Sequence, residues 1–82
     1  MVVIKLFAGF REKAKRDRLE IDVSGETTLD EIITLLKKEL PELKEFFESK
    51  TAVIAINQKV AELKSMVKNE DEIAIFPPVS GG

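Results

Sequence analysis

Apolar residues recur along this chain at two different spacings, and the changes of spacing lay out its elements. Over residues 2–8 the alternation is by twos. Val2, Ile4, Leu6 and Ala8 share one parity; Val3, Lys5 and Phe7 share the other. That is strand periodicity, and Lys5 marks the second face as the wetter one. Residues 9–18 break the alternation and read as a loop or irregular turn. Leu19, Ile21 and Val23 then alternate with Glu20 and Asp22, which predicts a half-buried second strand paired antiparallel with the first. Ser24-Gly25-Glu26 is turn punctuation.

From Thr28 the spacing changes to threes and fours. Leu29, Ile32, Ile33, Leu36 and Leu40 mark one face of a helix. Thr28 sits three residues before Glu31, the spacing of a capping box. Asp30 and Glu31 near its start and Lys37 and Lys38 near its end suit the helix dipole. Pro41 disfavours a helical Leu40 and ends the element there or just before. The same proline can open a short further turn carrying Leu43, Phe46 and Phe47, the two phenylalanines serving core and loop packing. Residues 52–56 read as a third strand, Asn57-Gln58-Lys59 as a turn and residues 60–63 as a fourth strand. Asn69-Glu70-Asp71 is a polar turn before a fifth strand over residues 72–76. The order is β-β-α-β-β-β. One amphipathic helix covers only one face of such a sheet, so the fold class is α+β in two layers. A mixed sheet clasping one main helix, with the hairpin first, is the ubiquitin-like β-grasp arrangement. The domain is expected over residues 1–76, with residues 77–82 as an extended C-terminal tail.

Composition removes most chemistry from consideration. The 82 residues, 44% apolar and 34% charged, make one domain with a small core. A formal charge of −2 predicts no general affinity for nucleic acid or anionic membranes. No apolar run approaches a membrane span and no signal-peptide plan is visible, so a cytoplasmic protein is expected. Cysteine and histidine are absent, which excludes disulfides, the usual zinc, copper and iron sites, and Ser–His–Asp or Cys–His catalysis. None of the four glycines belongs to a phosphate-cradling loop. Glu70-Asp71-Glu72 lacks the wider pattern of a calcium loop and reads as a solvated turn.

Parity leaves two surface features in want of an explanation. If Ile4, Leu6, Ile73 and Ile75 face the helix, then Phe7 and Phe76 face away from it, with Val53, Ala55 and Ala74. Should the first and last strands be neighbours, these residues form an apolar patch suited to a partner. The competing readings are a patch covered by loops and a second mini-core. Residues 11–18 carry five cations against two anions, a net charge of +3. Phe10 stands alone there, so no stacking platform for nucleic acid accompanies the run. A solvated loop is its ordinary role and docking to an acidic surface its functional one, with Arg11 placed for a specific ion pair.

The remaining feature is the end of the chain, Pro77-Pro78-Val79-Ser80-Gly81-Gly82. Two prolines hold the base extended, and two glycines leave a bare backbone tip able to enter a channel too narrow for a Cβ. The segment Ile73-Ala74-Ile75-Phe76-Pro77-Pro78-Val79-Ser80-Gly81-Gly82 resembles the C-terminal signature of the MoaD family, the small subunits of molybdopterin synthase. Leu6-Phe7-Ala8 with Arg11-Glu12 resembles the family's first strand and the turn after it, and Ala55-Ile56-Asn57 its central strand. Asn69-Glu70 departs from the Asp-Gly often found before the last strand, and Ile75 replaces a frequent aromatic.

The resemblance implies a sulfur carrier rather than an enzyme. An E1-like activating enzyme would use ATP to adenylate Gly82, and a sulfur donor would convert it to a thiocarboxylate. Pro77, Pro78, Val79, Ser80 and Gly81 would carry that group into the large synthase subunit, in a heterotetramer, to build a dithiolene on a pterin. Phe7, Val60 and Phe76 would form the docking face, with Arg11 adding electrostatics. No bound cofactor or metal is implied, and neither nucleic acid nor membrane is a partner. Three rivals stay open: a protein modifier forming isopeptide bonds through Gly82, a sulfur carrier for thiamine or tRNA thiolation, and a β-grasp binding module whose tail is incidental.

Overall fold

The computed structural model describes residues 1–48 and 52–77. Its elements follow in the order β1 (Val2–Leu6), α1 (Ala8–Ala14), β2 (Arg18–Ile21), β3 (Glu26–Thr28) and α2 (Leu29–Glu39). A 3₁₀ turn (Pro41–Leu43), α3 (Lys44–Glu48), β4 (Val53–Ile56), β5 (Lys59–Val60), β6 (Met66–Lys68) and β7 (Glu72–Phe76) complete it. Among the described residues a five-stranded sheet runs in the order β2-β1-β7-β4-β5. β1 and β7 are parallel and the other pairings antiparallel, so the sheet is mixed, as expected. Val2, Ile4, Leu6, Ile73 and Ile75 turn to the helix side and are fully buried there with Leu29, Ile32 and Leu36 of α2. Among the described residues no helix is long and apolar enough to cross a membrane.

The start of α2 combines side-chain and backbone capping. Thr28 Oγ1 accepts from the Glu31 N–H at 3.2 Å, the expected half of a capping box. Glu31 does not reach back to Thr28; its carboxylate accepts from the Thr27 hydroxyl instead. Two further N–H groups of the first turn, which no helical carbonyl can satisfy, find loop carbonyls: Leu29 donates to Ser65 at 2.9 Å and Asp30 to Leu63 at 3.0 Å. This explains why the strand expected over residues 60–63 stops at Val60. The chain beyond it leaves the sheet to cap α2, then returns as β6, which pairs with β3 in a two-stranded sheet that alternation did not reveal. At the other end Leu40 is non-helical (φ −129°, ψ 72°), as a residue before proline must be, and Pro41 opens the next turn.

The largest correction falls on residues 9–18, expected as a loop. Ala8–Ala14 is a helix, and its buried pair Phe10 and Ala14, four residues apart, is the apolar stripe. Strong helix formers surround that pair, with Arg11 and Lys13 in the last turn, where the dipole favours cations. Phe10 is not alone. Its ring lies edge-on to Phe46 at 4.9 Å and tilted against Phe47 at 5.6 Å, which ties α1 to α3. Burying Phe10 is worth about 2 kcal/mol by area, before the gain from its two ring partners.

The turns framing β7 are set by polar contacts. Asn57 and Gln58, both at positive φ (50° and 73°), join β4 to β5 as a tight hairpin turn. The Asn57 amide donates to Asp71 Oδ1 at 3.0 Å and its carbonyl accepts from the Glu72 N–H at 2.9 Å. Asp71 Oδ2 accepts from the Lys68 N–H at 3.0 Å. Asp71 is buried, so the acidic triplet is not the solvated turn its composition suggests. Asn69 pins the far side, exchanging two hydrogen bonds with the Val23 backbone at 2.8 and 3.2 Å. Between them Glu70 stands at φ 82°, a conformation that favours glycine, and this is the position where the chain departs from Asp-Gly.

Two outcomes follow for stability. Glu70→Gly relieves the left-handed backbone and is expected to stabilise the protein by roughly 0.5–1 kcal/mol in urea unfolding, although it removes the exposed 3.6 Å pair with the N-terminal amine. Burial pushes the Asp71 carboxyl up, but the Lys68 N–H, the Asn57 amide and the Lys68 charge outweigh it and hold it below the ordinary carboxylate value. A lowered native pKa contributes stability that is complete above the unfolded value of about 3.9 and is lost as pH falls through the native one. Asp71→Asn should therefore cost about 1–2 kcal/mol at neutral pH. Its deficit against the parent protein should shrink below about pH 4, measured by urea unfolding across that range.

Candidate functional site

The parallel register Leu6↔Ile75 places the residues that follow, Phe7 and Phe76, at the same level of neighbouring strands. Phe7 stays extended (φ −127°, ψ 154°), so alternation continues one residue past β1 and its ring points away from the core. The Phe7 N–H donates to Ile75 O at 3.1 Å, and the two rings meet with centroids 5.3 Å apart and a 35° tilt. Phe7 is 38% exposed and Phe76 half-buried. Val53 stands opposite Phe76 on β4. One row further along, Ala74, Ala55 and Val60 are consecutive partners across β7, β4 and β5. Val60 is 79% exposed on the edge strand. Ala55 has the outward parity expected of it but is buried, flanked by Ala74 and Val60.

The face is therefore a continuous apolar strip from Phe7 across to Val60, on the side of the sheet that α2 does not cover. Its polar border includes Lys5 and Glu72, whose side chains pair at 3.3 Å with both groups about 40% exposed. This pair was not foreseen, because it depends on β1 lying beside β7. Parity assigns Lys5 a face, but only the register Val3↔Glu72 and Lys5↔Ala74 makes Glu72 its diagonal neighbour. Such an exposed pair adds little to stability and serves better as a charged rim to the patch.

Of the docking residues read from the sequence, Phe7 and Phe76 are in direct contact. Val60 shares their face two strands from Phe76. Arg11 lies on α1 rather than on a loop, exposed, with its N–H directed at the Phe7 carbonyl at 3.4 Å. It thus stands one helical turn beyond the first ring of the patch. Pro77, half-buried, follows Phe76 directly, so the tail leaves from the patch itself. Pro78, Val79, Ser80, Gly81 and Gly82 lie outside the described residues. Among the described residues no group of three carboxylates converges to hold a metal, and no buried side-chain polar atom lacks a hydrogen-bond partner. What this face offers is contact area: aromatic anchors, a flat apolar floor and charges at the margin.

The chain resembles known proteins over nearly its whole length. A model of the ThiS family matches residues 4–82. The molybdopterin synthase sulfur carrier subunit of Dictyostelium discoideum is 37% identical, covering 96% of this chain and 93% of that protein. SAMP1 from Haloferax volcanii superposes with a TM-score of 0.88 at 30% identity, over 99% of this chain and 98% of that one. A chain from the complex of subunits 1 and 2 of molybdopterin-converting factor from Helicobacter pylori superposes with a TM-score of 0.71 at 28% identity, over 99% and 97% of the two chains.

Proposed function

The chain belongs to the ThiS family, and from that premise we propose that it is the sulfur carrier subunit of a molybdopterin synthase. The observation that carries the reading is the 37% identity with a sulfur carrier subunit of that synthase over nearly the whole of both chains. The working group is the Gly82 carboxylate. An E1-like enzyme supplies ATP; the carboxylate attacks the α-phosphate, pyrophosphate leaves, and an acyl-adenylate forms. A sulfur donor then displaces AMP and leaves a thiocarboxylate. Adenylation is needed because a free carboxylate has no leaving group. The tail, residues 77–82, next carries the thiocarboxylate into the large subunit, which transfers its sulfur to a cyclic pterin phosphate. The catalytic groups belong to those partners, and this chain supplies the sulfur.

The sheet face gives this scheme its docking surface. Phe7 and Phe76 form an aromatic anchor at the root of the tail, Val60 extends the floor, and Arg11 lies within a helical turn of the anchor. A partner that covers the face receives the tail at a fixed point. The heterotetramer with the large subunit belongs to the same reading, which the Helicobacter pylori complex of subunits 1 and 2 supports.

The likeness to SAMP1, a TM-score of 0.88, favours a second use of the same terminus: isopeptide bonds from Gly82 to lysines of other proteins. One tail suffices for both, because the acyl-adenylate is open to a sulfur donor or, through further carriers, to an amine.

Intact-mass analysis after incubation with an E1-like enzyme, ATP and a sulfur source should show one oxygen-to-sulfur exchange, localised to Gly82. Unmodified protein in the presence of a competent activating enzyme would sink the carrier reading. High-mass conjugates in cells that disappear when Gly82 is deleted would establish the modifier role beside it. Phe76→Ala should weaken the complex with the large subunit by about 2 kcal/mol, roughly 30-fold in Kd, by calorimetry. Arg11→Ala should change mainly the association rate and its salt dependence.

A further inference from the structure

The outer face of the sheet is divided by charge, and the strand register fixes the division. One row runs straight across all five strands of the sheet: Arg18, Lys5, Ala74, Ala55 and Val60 are successive partners. Its β2–β1 half is cationic and its β7–β4–β5 half apolar. The row nearer the tail root holds Phe7, Phe76 and Val53. The row farther from it holds Glu20, Val3 and Glu72. On this face both cations therefore lie beside the row of the rings, and both anions lie one row beyond.

Each cation is tied to one anion. Lys5 meets Glu72 at 3.3 Å and Arg18 meets Glu20 at 3.1 Å, and all four side chains are between 41% and 57% exposed. Exposed pairs of this kind contribute little and reorganise readily. An ammonium and a guanidinium carry more N–H donors than one carboxylate contact uses. Neither cation has a second acceptor among the described residues. A partner laid flat on the rings and on Ala74, Ala55 and Val60 reaches the line of Lys5 and Arg18 without crossing the row of Glu20 and Glu72. The donors it covers lose water and need acceptors from it. Asp17 lies on the other parity, opposite Leu6. Arg11 is followed in α1 by Glu12, so the helix adds little net charge and the sheet carries the argument.

We propose that Lys5 and Arg18 are specificity determinants of the docking face. They take carboxylates of the large synthase subunit, set beside the part of it that covers the two rings. This rests on the functional reading above and names the chemistry of the partner's surface. Lys5 and Arg18 are cross-strand partners with Cα atoms about 5 Å apart, so one short acidic stretch serves both. Because cations occupy only one end of the row, the contact also fixes which way round the partner sits. That orientation sets the direction in which the tail is delivered.

Two double variants test this, since they break the same two ion pairs and differ only in which charge remains. Lys5→Gln with Arg18→Gln should weaken the complex with the large synthase subunit of the same organism roughly tenfold, mainly through the association rate, and flatten its salt dependence. Glu20→Gln with Glu72→Gln should tighten it about threefold. A purely structural role for the pairs predicts equal losses from both. Lys38→Gln with Lys64→Gln, at exposed positions off this face, repeats the change in net charge and should shift Kd by less than about twofold. Calorimetry and stopped-flow mixing give the constants, and amide spectra verify the fold. The proposal is overturned if the two outer-face doubles change binding in the same direction or not at all, if removing the carboxylates weakens it, or if the Lys38–Lys64 control matches the Lys5–Arg18 loss. Phe76→Ala separates the two levels. If it weakens the complex while the charge doubles do not, this proposal falls and the docking face stands. If the parent protein does not bind the large subunit, the functional reading falls and the proposal with it.

Discussion

Everything else in the molecule depends on the parallel pairing of its first and last strands. Val3 lies opposite Glu72 and Leu6 opposite Ile75, so nearly the whole chain is looped between two neighbours at the middle of the sheet. Closing so long a loop is less costly than it looks, since each doubling of length adds only about 0.6 kcal/mol. The return is concentrated: Ile4, Leu6, Ile73 and Ile75 are brought together fully buried beneath α2. The same pairing acts on the other face, where it sets Phe7 against Phe76 and fixes where the chain leaves the fold. Core and exposed apolar strip are the two parities of one ladder. A register slip of a single residue would exchange them, so the hydrophobic term that holds the fold also specifies the outer apolar strip.

A sheet covered on one side only has to account for its bare side. Here the uncovered face combines small side chains, two aromatic rings and a charged border, in place of the fully polar pattern common on solvated sheets. An apolar face of this kind is suited to contact with another surface. The two sides also differ in how they are held. The core side rests on close packing, whereas the outer side is framed by turns: Asn57 and Asp71 lock the β4–β5 hairpin against the start of β7. That lock positions Val60, the most exposed apolar residue of the strip, relative to the two rings.

Strand parity was the most legible part of the sequence, because it needs only local information. It assigned Ile4, Leu6, Ile73 and Ile75 inward and Phe7 and Phe76 outward before any pairing was known. Thr28 as the cap of α2 and Pro41 as its stop were equally local. What parity could not supply was anything set by a distant partner. Phe10 and Ala14 have helical spacing, but one apolar pair inside a dense charge run is too weak a period to read. It is Phe46 and Phe47 that make α1 worth forming. β3 and β6 are three residues each, and their pairing follows from loops recruited to cap α2. Asp71 looked solvated because its neighbours are acidic; the amide that buries it comes from Asn57, fourteen residues earlier.

The arrangement constrains how a carrier of this design can work. There is one tail, and its root, Pro77, adjoins the Phe7–Phe76 strip. Under the proposed function, an activating enzyme and a sulfur-accepting subunit that both take the tail would both approach that root and so compete for the strip. Turnover then requires each complex to dissociate. Very tight binding to either partner would stall the cycle, and a modest patch of two rings and a few small side chains suits that need better than a wide obligate interface.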